Sequence, residues 1–421
     1  MNVYDSEVLK GILFKKGYSE TIKPQEADLI VVNTCSVREH AETRAIGRLN
    51  ELSRYKLENP EIKLAVIGCM AQRLGEKFLK EVPALDFVLG TEELFKLPEY
   101  LDKKNEKPLV ALSLSRLREI QVLPRRKHIC TAFVAISRGC DNFCSYCVVP
   151  YVRGPEKHRK VSDIIKEVQC LIEYGCREVS LIGQNVNSYK DDGYDFADLL
   201  REVSKTDIQR IRFMTSHPRD LSPKLIQAMA FLEKVCEHLH LPLQSGSDKI
   251  LDKMDRKYSS EDYLRLVDSA RSKIQNLSLT TDLIVGFPGE KDDDFQKTLE
   301  MVDKIEFDSA FMFKYSPREG TKAFLSEDDV PQEEKIKRLQ ALIELQKDIA
   351  KKKNQELVGK TEEVLIDGKS KRDKANWKGK GRSNKTVIIS KEKENKDLFG
   401  KIVKVRITKA DSFTLFGEIE K

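Results

Sequence analysis

Two hydrophobic rhythms divide the chain. In the first hundred residues, two short apolar runs, "ADLIVVNTC" and "KLAVIGC", each close on a cysteine and lead into a helical pattern. Runs rich in β-branched residues, with no polar position at every second place, read as parallel strands covered on both faces. Residues 1–105 are therefore predicted to form a small α/β domain, and 106–130 a basic connector of little periodicity. From Thr131 the alternation turns regular. Strands are predicted at "AFVAIS", "EVSLIG", "RIRFMTS", "EHLHLPL", "SLTTDLIVGF" and "SAFMFKY". Helical patterns lie between them, around 161–174, 194–204, 222–234, 260–273 and 291–304, and a long one follows at 332–357. Six βα units are too few for an eightfold barrel. They suit a partial (βα)6 barrel over 131–357, with its site beyond the carboxyl ends of the strands; a doubly wound sheet would share the alternation. Over 358–421, "TEEVLID", "KTVIIS", "KIVKVRITKA" and "TLFGEIE" read as short antiparallel strands. The predicted fold class is α/β, ending in a small OB-like β-barrel.

Composition adds a compartment and a partner. The 421 residues are 40% hydrophobic and 34% charged. No run is apolar for the roughly 18 residues that a membrane helix needs. The amino terminus lacks the basic-then-apolar order of a signal peptide. A soluble cytoplasmic protein with no membrane partner is expected. There, nine cysteines read as metal ligands where clustered and as small core residues where scattered. The net charge is +6, yet Lys369–Lys409 holds 15 Lys and Arg against 4 Asp and Glu, a local excess of +11. One basic module on a near-neutral body points to nucleic acid.

The chemistry concentrates in "SRGCDNFCSYCVVPYVRG", Ser137 to Gly154. Cys140, Cys144 and Cys147 follow a predicted strand at C-x3-C-x2-C spacing. Zinc sites favour C-x2-C pairs completed by a second pair. Three thiolates instead suit a 4Fe-4S cluster with one iron left open for a substrate or cofactor. Polar groups also gather just after the later strands. Gln184 and Asn185 stand in "LIGQNVNSY", Gln244 and Ser245 in "LPLQSGSD", and Asp282 and Gly286 in "TDLIVGFPGE". Each cluster alone is ordinary turn chemistry; three on one end of a barrel favour a binding site. His217 in "TSHPRD" reads first as a helix cap or a substrate contact. Cys35 and Cys69 occupy equivalent places, each closing a strand and opening a helix, and adjacent parallel strands would bring them together. They read either as two buried cysteines or as a second metal site.

The C-x3-C-x2-C loop at the start of a partial barrel resembles the radical S-adenosylmethionine (SAM) superfamily. Taken with "NTCSVREHAETRA", "VIGCMAQR", "GQNVNSY", "LPLQSGSD" and "GFPGE", the chain is similar throughout to the methylthiotransferases, and within them to the MiaB branch, the tRNA-2-methylthio-N6-dimethylallyladenosine synthases. The resemblance implies two 4Fe-4S clusters and SAM as cofactors, and a C-terminal TRAM domain that binds RNA. It implies that Cys140, Cys144 and Cys147 hold the cluster that cleaves SAM, that Gln184, Asn185, Gln244, Ser245, Asp282 and Gly286 lie toward the cofactor, and that Cys35 and Cys69 are two of three ligands of a second cluster. The family's third ligand belongs to a Gly-Cys-Gln-like turn directly before "MNVYDSE". The expectation is that Met1 is internal to the natural chain, or else that the second cluster is labile. The implied reaction places a methylthio group on C2 of dimethylallyl-adenosine at tRNA position 37. The implied partners are the tRNA anticodon stem-loop and an electron donor such as flavodoxin or ferredoxin, with the protein a monomer. Sister branches modify threonylcarbamoyl-adenosine tRNA or a ribosomal-protein aspartate. A non-catalytic RNA-binding protein with one structural iron–sulfur or zinc site is the reading from another class. Trp377 and Phe413 are predicted to pack in the C-terminal core, with base stacking as the alternative.

Overall fold

The computed structural model describes residues 1–36, 39–103, 107–114, 124, 129–390 and 397–420; most of the predicted connector and Lys391–Lys396 of the basic segment lie outside them. Chain packing resolves into two compact units. One holds Met1–Lys127, Arg138–Lys157 and Arg318–Thr321; the other holds His128–Ser137, His158–Pro317 and Lys322–Lys421.

In the first unit, strands β1 (Leu29–Thr34), β2 (Lys63–Gly68), β3 (Phe87–Leu89) and β4 (Leu109–Ala111) form one parallel sheet in that order. The two apolar runs are β1 and β2. Ile67, Ala65 and Val66 are wholly buried because helices cover both faces. The helix Asn2–Lys15 is tied to the end of β1, where Asn2 Nδ2 donates to the Thr34 carbonyl at 2.8 Å and Asn33 Nδ2 to the Asn2 carbonyl at 2.9 Å.

The second unit carries six parallel strands: β5 (Thr131–Ala135), β6 (Glu178–Ile182), β7 (Arg210–Phe213), β8 (His238–His240), β9 (Ser278–Val285) and β10 (Ser309–Lys314). They stand in chain order. β5, β6 and β7 pair directly, as do β8, β9 and β10, and a parallel bridge between Ile211 and Val235 joins the two triplets. This is the partial barrel that the periodicity predicts. Helices 161–173, 196–204, 223–231, 260–273 and 292–305 fill the crossovers. Two of them begin on reciprocal capping boxes, Asp195 with Asp198 and Ser259 with Asp262. Alternate strand residues face opposite ways. Val179, Ile211, Leu239 and Leu283 pack in the apolar core, while Glu178, Arg210, Arg212, His238 and Thr280 are buried polar residues at the intervening places.

The C-terminal strands β11 (Thr361–Lys369), β12 (Trp377–Gly381), β13 (Thr386–Ile389), β14 (Ile402–Ala410) and β15 (Thr414–Ile419) close a barrel in the order β11-β12-β13-β15-β14. The sequence pattern missed β12, "WKGKG", because glycine and lysine mimic a loop. The glycines have a steric reason. A Cβ on Gly379 would stand 2.3 Å from the Leu365 carbonyl oxygen, and one on Gly417 would stand 2.4 Å from that of Arg406. Barrel closure brings neighbouring backbone too near for any side chain there.

This barrel docks within its own unit through cations. Buried Arg210 and Arg212 of β7 reach the carbonyls of Lys380 (3.0 Å), Gly381 (2.6 Å) and Arg382 (2.7 Å). In return Arg382 grips Glu237 at 2.7 Å, and Lys385 pairs with Asp308 at 2.8 Å. Part of the basic excess therefore serves docking and is unavailable to an external polyanion. No helix among the described residues is long and apolar enough to cross a membrane. We expect Gly417→Ala to destabilise the C-terminal barrel by about 1–3 kcal/mol. Trp377 is the chain's single tryptophan and lies in this barrel, so its fluorescence during urea unfolding should show the lowered midpoint.

Candidate functional site

The three-cysteine loop is shaped by backbone constraints. Gly139 has φ +77°, and a Cβ there would meet the Pro155 carbonyl oxygen at 2.1 Å, so only glycine fits. The Cys140 amide donates to the Gly154 carbonyl at 3.2 Å and the Cys147 amide to the Cys144 carbonyl at 2.9 Å. Asp141 Oδ1 accepts the Glu156 amide at 3.0 Å. Cys140 and Cys144 are buried and Cys147 half-buried. Burial pushes the Cys140 thiol up to about 11, and nearby Cys144 adds to the rise. Such thiols ionise readily only beside a metal charge. Three sulfurs on one short, rigid loop are a donor set that fits an iron–sulfur cluster. Among the described residues, no three His, Cys, Asp or Glu side chains converge as a single metal ion would require.

This loop belongs to the same compact unit as β1 and β2. Thr34 and Gly68 are register partners, so Cys35 and Cys69 leave adjacent strands side by side. Each has a buried ionic brace. Ser36, next to Cys35, donates to Glu42 at 2.5 Å; Arg73 and Arg318 hold the same carboxylate at 2.9 and 3.2 Å. Beside Cys69, Arg153 Nε donates to the sulfur at 3.2 Å, and its Nη2 pairs with Asp5 at 3.0 Å. Arg138 meets the other Asp5 oxygen at 2.6 Å and lies over the Phe95 ring, 5.0 Å from its centroid. Burial pushes the Asp5 carboxyl up, but Arg138 and Arg153 outweigh it and hold the group below the usual carboxylate range. Sequence reasoning missed Asp5 and Arg153. One signal was present: Asp5 shares the buried side of its helix with Tyr4, Val8 and Leu9, where a carboxylate requires a partner.

The strand-end residues of the second unit divide into two groups. Several are engaged in holding loops. Asn187 clamps the His217 backbone with bonds of 2.9 Å in both directions, and Asn185 Nδ2 donates to Asp220 at 2.6 Å. His217 caps the turn at 218–220 by accepting the Arg219 amide; burial, with Arg256 and Arg219 nearby, drives it down to about 2 and keeps it neutral. Ser245 contacts Thr298 at 3.4 Å and accepts the Ser247 amide at 3.2 Å. Gly286, at φ +69°, donates its amide to Glu290 at 2.7 Å. Gln244 also has positive φ, +70°, and its backbone pairs with β9 through Asp282 and Ile284. Asp282 stands 3.4 Å from His240 Nε2, and Thr280 Oγ1 lies between His240 (3.0 Å) and His238 (3.2 Å).

The second group awaits a partner. Ser137 Oγ, Gln184 Oε1, Asn185 Oδ1 and Ser216 Oγ are buried without a hydrogen bond. They lie just beyond the carboxyl ends of β5, β6 and β7, three neighbouring strands. Buried polar atoms are rarely left unpaired, so this edge fits a small polar ligand. Ser137 and Ser216 are additions to the sequence reading. Cys130 is remote in role: its thiol points to the Ile366 carbonyl at 3.6 Å in the seam with the C-terminal barrel.

Comparison with known proteins follows this division. Residues 134–302 match the Radical SAM superfamily, 1–90 the uncharacterized protein family UPF0004, and 355–419 the TRAM domain. The chain is 49% identical to the tRNA-2-methylthio-N(6)-dimethylallyladenosine synthase of Caldicellulosiruptor saccharolyticus, over all of this chain and 90% of that protein. It is 46% identical to the protein of the same name from Carboxydothermus hydrogenoformans, over 99% and 96%. Among solved structures, it resembles the radical SAM methyltransferase TsrM from Kitasatospora setae (TM-score 0.56, 14% identity, 77% of this chain and 71% of that one). It also resembles the cobalamin-dependent SAM radical enzyme OxsB (TM-score 0.55, 13% identity, 81% of this chain), of which it spans about half, 53%. At such identities the two structures speak for the fold alone.

Replacing Asp5 by Ala should destabilise the first unit by about 3–5 kcal/mol, since two guanidiniums lose their buried counter-ion. Because the folded Asp5 carboxyl titrates below its unfolded value of ~3.9, its contribution is complete above about pH 4. It is lost as pH falls further. Acid unfolding followed by circular dichroism should therefore show a shallower acid limb in Asp5→Asn than in the parent.

Proposed function

The chain belongs to the tRNA-2-methylthio-N(6)-dimethylallyladenosine synthase family, and from that premise we propose how its own residues carry the family's reaction. It is a radical SAM methylthiotransferase that modifies C2 of N6-dimethylallyladenosine at position 37 of tRNA. The observation that carries this reading is identity near one half along the whole chain, all three matched regions included. When bound, a reduced 4Fe-4S cluster and SAM supply the radical that takes hydrogen from an adenine carbon no acid or base side chain could deprotonate usefully.

Cys140, Cys144 and Cys147 hold that cluster, with the Gly139 and Gly154 backbone fixing their loop. Gln184, Asn185, Ser137 and Ser216 present their unpaired buried oxygens to SAM at the ends of β5 to β7. Gln244, beyond the end of β8, and Asp282 of β9 face the cofactor. Ser245 and Gly286 act one step back, keeping the loops that border it in place. Cys35 and Cys69 ligate the second cluster. The reductant is a small electron carrier such as flavodoxin or ferredoxin, and the protein works as a cytoplasmic monomer.

The tRNA reaches the C-terminal barrel through cations not spent on docking, such as Lys404, Arg406 and Lys409. Trp377 packs against that barrel's core, with Lys369 Nζ 3.2 Å from its ring centroid. Phe413 differs from expectation: it is 74% exposed on the turn between β14 and β15, where a base can stack on it.

Two measurements test the assignment. Cys144→Ala should remove about four irons per chain from anaerobically reconstituted protein and abolish reductive SAM cleavage. In a strain lacking this gene, tRNA should lose its methylthio-dimethylallyl-adenosine; retention of that nucleoside would overturn the reading. Phe413→Ala should weaken tRNA binding roughly tenfold, on the scale of one lost stacking contact, with thermal stability unchanged.

A further inference from the structure

We infer that Phe311 is the apolar wall that receives the dimethylallyl group of the substrate adenosine and so sets the preference for a prenylated base. The inference deepens the functional reading above and rests on it.

Alternate residues of β10 divide between two faces. Ala310 and Met312 pack on the apolar core beneath the helices, whereas Phe311 between them turns to the inside of the barrel and is 47% exposed. Two contacts fix that direction. Phe311 is the register partner of Asp282 on β9, and its ring stands edge-on to His240 of β8, with centroids 6.0 Å apart and planes at 72°. His240 is itself held, by Thr280 Oγ1 at 3.0 Å and Asp282 at 3.4 Å, so the ring rests on a braced neighbour. The other end strand, β5, repeats the arrangement: Ala132 and Val134 join the core, and Phe133 between them is 36% exposed. Among the described strands of the barrel, no other large apolar side chain is exposed. A half-exposed phenyl ring inside a barrel leaves to water an apolar surface that a hydrocarbon group would cover.

The place suits the shape of the substrate. In adenine, N6 is carried on C6, which is separated from C2 only by N1. A base whose C2 meets the cofactor beside Asp282 therefore carries its N6 substituent close to that point, where Phe311 stands. A branched hydrocarbon gains by burial against the ring. A threonylcarbamoyl group, which bears a carboxylate, would lose solvation there and meet the acidic side chain of Asp282.

Full-length protein, reconstituted anaerobically and saturated with SAM, is titrated with two fluorescent anticodon stem-loops. One carries dimethylallyl-adenosine at position 37 and the other adenosine. The parent should bind the prenylated loop at least about tenfold more tightly. Phe311→Ala should erase about tenfold of that preference by weakening the prenylated loop alone. Phe311→Leu, which keeps an apolar wall, should retain most of it. An equal loss on both loops would place the ring against the base or the cofactor and would overturn the proposal. If Phe311→Ala fails to fold by circular dichroism, Phe311→Thr, whose side chain suits a strand, decides by the same ratio. A parent that binds both loops equally overturns the substrate reading and the proposal with it. A parent that prefers the prenylated loop, with the same preference in Phe311→Ala, overturns the proposal alone.

Discussion

A single buried carboxylate, Asp5, ties together the parts of this protein that carry its cysteines. It sits between Arg138, which precedes the three-cysteine loop, and Arg153, which follows it. Two charges on one side and one on the other would be expensive to bury apart. Paired at 2.6 and 3.0 Å, they hold the amino-terminal helix and both ends of the loop in one geometry. Breaking such a network exposes the full desolvation penalty of whatever charge is left. The second brace, Glu42 with Ser36, Arg73 and Arg318, repeats the device beside Cys35. Each strand-end cysteine is thus positioned by ionic groups drawn from segments far apart in the chain.

The barrel solves a different problem. Its outward strand residues make one apolar core with the surrounding helices, while the intervening positions bury Glu178, Arg210, Arg212, His238 and Thr280. Glu178 pairs with Arg212, His238 contacts Thr280, and the β12–β13 hairpin of the C-terminal barrel offers carbonyls to Arg210 and Arg212. The C-terminal module is therefore part of the barrel's structural closure as well as an RNA-binding element. Its lysines and arginines cannot be counted as one electrostatic surface, because Arg382 and Lys385 are already paired with Glu237 and Asp308.

Much of the architecture was legible from periodicity. All six barrel strands and the helices between them lie where the apolar alternation places them, because strand and helix periods of 2 and 3.6 are properties of local sequence. β12 was illegible because its glycines answer to backbone approach from β11, a distance that no local pattern encodes. Among the strand-end polar residues, sequence could mark the loops but not divide labour within them. Asn187, Ser245 and His217 turned out to brace neighbouring loops, whereas the unpaired oxygens of Gln184 and Asn185 have two unforeseen companions in Ser137 and Ser216.

The sequence by itself determined the spacing of the three loop cysteines, since spacing within eight residues is a local property that folding hardly alters. It also determined the order of modules, and the pairing of Cys35 with Cys69 followed from two strands of like pattern. Only the tertiary structure decided which charges attend those thiols. Asp5, Cys69 and Arg153 are separated by 64 and 84 residues along the chain, and their meeting depends on how a helix, a strand end and a loop pack. Long-range electrostatic partners are fixed by that packing, and no window of sequence contains them.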